Sequence, residues 1–170
     1  MASLTTKEPQ RPQAVVAGDL TDGGRLNGRA GASDFAVGGP DGRGGTAPGA
    51  NPYDLLSASL AACTAMTIRL QSRRRKLPLT HVEVAVSYRH GVEGARDAFD
   101  RTIVLQGALS DDQRSQLMQA ANICPVGKTL GLSADINTRA QDALPALSGG
   151  ALADYDRDSD ELSIPNIDPD

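Results

Sequence analysis

Two cysteines, Cys63 and Cys124, are the residues of this chain whose type and setting best suit chemistry. A cysteine does chemistry as its thiolate, which a helix N-terminus or a neighbouring cation favours and apolar burial disfavours. Cys124 precedes Pro125, a residue suited to the first helical position, and Lys128 follows one turn on. That places Cys124 at or next to a helix N-cap. Cys63 lies among Ala61, Ala62 and Ala65, small neighbours that leave room beside the sulfur but supply no charge. It therefore needs a cation from elsewhere. Arg43, in the glycine-rich stretch before the helix, is the first candidate, and Arg25 is held in reserve. On the residues alone both cysteines could equally be small buried hydrophobes.

The elements needed to place these sulfurs are readable. The stretch 38–50, GGPDGRGGTAPGA, holds too much Gly and Pro for regular structure. Asn51 then offers an N-cap, Pro52 the first helical residue, and Asp54 the third position of a capping box. A helix follows, apolar or small on every side from Leu55 to Leu70, a pattern that predicts enclosure all round. Its end is the basic run Arg73–Lys76 before Pro78, a cationic last turn and a Pro stop. Alternation over 82–88 and 99–107 predicts two strands of an antiparallel hairpin, with Val82, Val84, Val86 and Tyr88 on one face and Ile103 and Leu105 on theirs. Ser110 and Gln113 open a second helix whose stripe, Leu117 and Ala121, leads to Cys124. Short strands between Ala14 and Val37, and a last strand over Ala134–Thr138, complete the expectation. Residues 1–14 read as a flexible leader, 15–142 as one domain, and 143–170 as an acidic extension.

With these elements assigned, the residues around the cysteines gain a second meaning. The runs Asn51-Pro52-Tyr53-Asp54-Leu55-Leu56, Ala61-Ala62-Cys63-Thr64-Ala65-Met66-Thr67 and Cys124-Pro125-Val126-Gly127-Lys128-Thr129-Leu130 resemble the two signatures of the OsmC/Ohr family, in the family's order. The resemblance runs from about Arg25 to Thr138. It implies an α+β fold of antiparallel sheet around a long central helix, completed as an intertwined homodimer with its sites at the subunit interface. It also implies an enzyme, a thiol peroxidase that reduces organic hydroperoxides without a cofactor. Cys63 would attack the peroxide and become a sulfenic acid, Cys124 would resolve it to a disulfide, and an external dithiol would reduce that disulfide. Arg43 corresponds to the loop Arg that pairs with the reactive thiolate.

The chain departs from the pattern twice. Peroxidase branches carry a Glu after the Asn-Pro that orients the Arg, where this chain has Tyr53 and then Asp54. Nine residues of helix turn through about 900°, which sets Asp54 and Cys63 on opposite faces, so Asp54 is read as a cap. The second signature usually ends in His, and here Gly127 takes that place. The Tyr53-Asp54 pattern, with Cys63-Thr64-Ala65-Met66-Thr67, looks closer to the OsmC-like branch, and Tyr53 motivates an alternative: a non-peroxidatic relative that binds a small ligand or senses redox state.

Composition narrows the remaining classes. A net charge of -4 offers no excess of cations for nucleic acid, and no apolar run is long enough for a membrane span. A polar N-terminus without an apolar segment points to the cytoplasm, where two lone cysteines are seldom a permanent staple. Aromatics are 3% of the residues, so Ala, Val, Leu and Ile must build the core. His81 and His90 invite a zinc site with the cysteines, but no pair has the short spacing such sites use, and no metal is expected.

Overall fold

The computed structural model describes residues 13–18, 26–40, 46–47, 49–92 and 95–132, together with Ala134, Ile136 and Thr138. The chain divides into two compact units, one containing the residues up to Gly49 and the other Ala50–Arg139. The leader before residue 13 and the acidic extension lie outside the described residues.

In the first unit, β1 (Ala14–Ala17), β2 (Leu26–Ala30) and β3 (Ser33–Val37) form an antiparallel sheet in that order. Gly28 pairs with Phe35 across the β2–β3 ladder, and a side chain at 28 would run into the Phe35 ring. The aromatic ring thus covers a backbone that has no side chain of its own. The stretch expected to be loop throughout carries a small ladder at its ends, β4 (Gly39–Pro40) with β5 (Thr46–Ala47). Gly and Pro discourage long strands, but two-residue pairings need only one pair of facing backbones.

The second unit begins with α1 (Pro52–Arg74), 23 residues long. Its start is the capping box expected from the sequence: the Asn51 side chain accepts from the N–H groups of Tyr53 (2.9 Å) and Asp54 (3.0 Å), and Asp54 accepts from the Asn51 N–H (3.0 Å). Its end is a Schellman turn. Lys76 takes the left-handed conformation at φ 52°, its N–H donates to Arg73 O, and the Leu77 N–H donates to Ser72 O at 2.9 Å. The helix does not have the all-round enclosure predicted for it. It buries Leu60, Cys63, Thr64, Thr67, Ile68, Gln71 and Ser72 on one face, while Leu56 and Met66 stay exposed. Among the described residues of this unit, layers cover only one side of it.

Those layers are the hairpin β6 (Leu79–Arg89) and β7 (Ala98–Gly107), then α2 (Asp111–Ala121) and α3 (Pro125–Leu132). Register pairs Val82 with Leu105, Val84 with Ile103, Val86 with Arg101 and Tyr88 with Phe99. Gly107, at φ 138°, approaches Pro78 too closely for any Cβ. Ser110 and Gln113 close the capping box of α2 as predicted. Two buried clusters lie along α1: Ile68 with Leu105, Leu117 and Ala121, and Leu60 with Cys63 and Cys124. The strand expected over Ala134–Thr138 does not form at Ala134, Ile136 or Thr138, and Ile136 is 89% exposed. A strand requires a neighbouring edge to pair with, and among the described residues the β6–β7 ladder takes in no third strand.

Candidate functional site

The two cysteines, 61 positions apart in sequence, meet in one cluster because α1 and the start of α3 pack on each other. Neither forms a disulfide and both are buried, Cys124 completely. Val86, Phe99, Val126 and Leu130 pack around them with Leu60. The site is therefore an apolar nest around two sulfurs.

Cys124 is the N-cap of α3. Its carbonyl accepts the first helical bond, from the Lys128 N–H at 3.0 Å, and its sulfur accepts from the Gly127 N–H at 3.5 Å. The sulfur thus occupies the place of the Ser or Asp oxygen in an ordinary cap. A hydrogen bond from Cys63 pulls the Cys124 thiol down from its ordinary value of 9.0 to about 6, against the opposing effect of burial. The Gly127 N–H, the Thr64 hydroxyl and the charge of Arg101 act in the same direction.

Arg101 is the residue that sequence reading passed over. Its NH1 donates to Thr64 Oγ1 at 3.1 Å and to Ala121 O at 2.7 Å, and its NH2 donates to Asn122 Oδ1 at 3.2 Å. The signal was present: in β7 it shares the period-two face of Phe99, Ile103 and Leu105, so a cation was written into a buried stripe. Arg43 and Arg25 lie outside the described residues. Lys128, named as a neighbour of Cys124, is exposed, and its backbone N–H goes to the Cys124 carbonyl while the sulfur takes the N–H of Gly127. Asp54 serves the helix cap rather than the sulfurs.

Tyr53, which stands where the family pattern has Glu, lies against the Tyr88 ring with centroids 4.1 Å apart and planes 10° from parallel. Tyr88 in turn meets Phe99 at 5.2 Å, and Phe99 borders the cysteine cluster. The Tyr88 hydroxyl donates to Asp97 Oδ2 at 3.0 Å and lies 3.1 Å from His90 Nδ1. Burial, then the bonds to Tyr53 and Asp97, hold its proton more firmly than usual. The backbone N–H of Gly91 and the Tyr88 hydroxyl draw the Asp97 carboxyl below its ordinary range. Among the described residues no group of three or more His, Cys, Asp and Glu side chains is placed to hold a metal, and no helix is long and apolar enough to cross a membrane.

Residues 43–139 match the OsmC family, described as OsmC-like protein, which is more than half of the chain. The chain belongs to the OsmC-like protein family. Its fold is similar to that of an OsmC-like protein from Mycoplasma pneumoniae, at 15% identity and a TM-score of 0.59 over 74% of this chain and 89% of that one. It is also similar to a candidate osmotic stress induced and detoxification response protein from Psychrobacter arcticus 273-4 (19% identity, TM-score 0.61, 71% and 89% covered). An organic hydroperoxide resistance protein from Elizabethkingia anophelis shares the fold too (20% identity, TM-score 0.54, 72% and 90% covered). No curated protein matches this OsmC-like chain. The α+β architecture with antiparallel sheets, inferred from the two cysteine signatures, is that of these relatives.

Proposed function

We propose that this OsmC-like protein is a thiol peroxidase that reduces organic hydroperoxides. The observation that carries the proposal is the meeting of two buried thiols, not joined as a disulfide, in one apolar nest, one of them at a helix N-cap with its proton loosely held. The name of the Elizabethkingia anophelis relative points to the same substrate class. Cys63 passes its proton to Cys124 and attacks the peroxide oxygen. The S–O bond forms, the O–O bond breaks, and the departing alkoxide takes the proton back from Cys124 to leave as alcohol. Cys124 then attacks the sulfenic sulfur, closing a disulfide and releasing water, and an external dithiol restores both thiols. A homodimer is consistent with Leu56 and Met66 left uncovered on α1, and the cytoplasm supplies the reductant such a cycle consumes. Arg43 remains the proposed loop partner of Cys63, with Arg25 in reserve.

The test is peroxide consumption by purified protein, with cumene hydroperoxide and hydrogen peroxide compared in the presence of a dithiol. Faster turnover of the organic peroxide, lost in Cys63→Ser, is expected. Full turnover by Cys63→Ser would refute the cycle. A second reading, a protein that binds a small ligand or senses redox state, draws on the Tyr53–Tyr88–Phe99 stack beside the sulfurs. Absence of turnover in correctly folded protein would favour it.

A further inference from the structure

A cavity of about 210 Å³ lies between the last third of α1 and the start of β6. Its walls are Arg69, Ser72 and Arg73 on the helix and residues 79–82 on the strand. Leu79 and Val82 supply its apolar part, and both pack on the Ile68 cluster rather than around the cysteines. Two strand residues three apart reach one core only because the β6–β7 register slips between Leu79 and His81. The same slip leaves Thr80 and His81 beside the cavity with them. Ser72 is buried, and its hydroxyl donates to Leu77 O at 3.2 Å, tying the end of the helix to the chain that enters the strand.

The charge around this cavity is of one sign. Arg69 and Arg73 stand one turn apart on the same helix face, where like charges repel. Among the described residues neither side chain makes an ion pair or hydrogen bond, and no Asp or Glu borders the cavity. Arg75, by contrast, is held by Gln116 Oε1 at 3.0 Å. Arg73 belongs to the last turn of α1 and complements the helix dipole, but Arg69 precedes that turn and has no such use. His81 adds a ring N–H in either neutral tautomer. In a chain with a net charge of -4, these donors gathered without an acid describe a receptor for an anion. Two guanidinium forks match the oxygens of a phosphate group. The volume is below the roughly 300–1,000 Å³ of pockets for drug-sized ligands, which restricts the occupant to a phosphate with a short carbon chain.

We propose that this cavity binds a small phosphate monoester, with Arg69 and Arg73 on the phosphate and Leu79 and Val82 against its carbon chain. The site does not depend on the thiol cycle, and its test uses no peroxide. The experiment is isothermal titration calorimetry of the full-length protein at constant ionic strength in chloride, with propyl phosphate, inorganic phosphate and succinate as probes. Propyl phosphate is expected to saturate one site per chain and to bind more tightly than the other two. Arg69→Gln and Arg73→Gln are each expected to weaken it about tenfold or more, as loss of a charge-assisted contact predicts. Arg74→Gln removes the same charge from the same end of the helix without touching the cavity, and is expected to leave the affinity unchanged. Because Arg69 and Arg73 are exposed, their variants should melt where the parent does in the absence of ligand. Absence of saturable binding overturns the proposal. So does an equal loss in Arg74→Gln, which would assign the binding to the general field of the helix end. Succinate or inorganic phosphate binding as tightly as propyl phosphate overturns the assignment to a phosphate monoester.

Discussion

Two clusters packed against the same face of α1 do different work. Around Ile68 the helix meets Leu105, Leu117 and Ala121, and every partner is a hydrocarbon. Around Leu60 it meets two sulfurs, and Thr64 and Arg101 run a polar seam between the clusters. Burial without polar groups gives stability in proportion to the apolar area removed from water. Burial with one cation and one hydroxyl gives less stability, because groups taken out of water must first recover their hydrogen bonds. The contrast shows how one helix can both anchor the fold and present chemistry, with about one turn separating the two tasks.

Truncation separates them most sharply. Leu117→Ala, at a side chain 1% exposed, is expected to cost about 2–5 kcal/mol by denaturant unfolding, through lost burial and a residual cavity. The thiolate titration step of Cys124 should stay where it is. A shift of that step in Leu117→Ala would mean that the two clusters are not separable, and the comparison would fall.

The cysteine cluster should reveal itself in the pH dependence of stability. The Cys124 proton is held less firmly in the fold than in the unfolded chain, so the fold gains stability when the thiol ionises. That gain is complete above 9.0, the ordinary thiol value, and is lost as the pH falls through about 6. Unfolding of the reduced protein at pH 6 to 9 is therefore expected to show stability rising with pH, and Cys124→Ser to flatten that rise. An identical slope in both would place the ionisation elsewhere.

Much of this was legible in the sequence, and the limits follow from the kind of interaction. Local signals were strong: Asn51 with Asp54, Ser110 with Gln113, and Pro125 after Cys124 each fix a helix end through bonds within four residues. The alternation over 82–88 defined the hairpin face. What escaped depended on partners distant in the chain. Arg101 meets Thr64 across 37 positions, and only the tertiary packing brings it to α1. The apolar surround of α1 also misled, because composition cannot tell a helix face covered by its own chain from one left open.

At the level of single caps, Asn51→Ala is expected to cost about 1 kcal/mol, since it removes the acceptor for two N–H groups at the start of α1. The effect should appear in the unfolding midpoint and leave the ionisation of Cys124 unchanged, because the cap lies twelve residues from Cys63 and bonds only within the first turn of α1.

The smallest effect tests the closest surface to the sulfur. Gly127 and Gly131 both lie in α3, and neither has a positive φ. A Cβ at 131 would meet nothing within 4 Å, whereas one at 127 would lie 3.5 Å from Leu60 Cδ1 and 3.8 Å from Cys124 Sγ, ordinary van der Waals distances. Replacement of helical Gly by Ala removes backbone freedom from the unfolded chain, so each substitution is expected to add up to about 0.5–1 kcal/mol, less for Gly131 near the frayed end. Only Gly127→Ala covers the sulfur, so it alone should slow alkylation of Cys124 by iodoacetamide, read by mass spectrometry. Equal slowing in both variants would mean that the reagent reaches Cys124 by opening of α3 as a whole, and the space left by Gly127 would then have no part in access to the thiol.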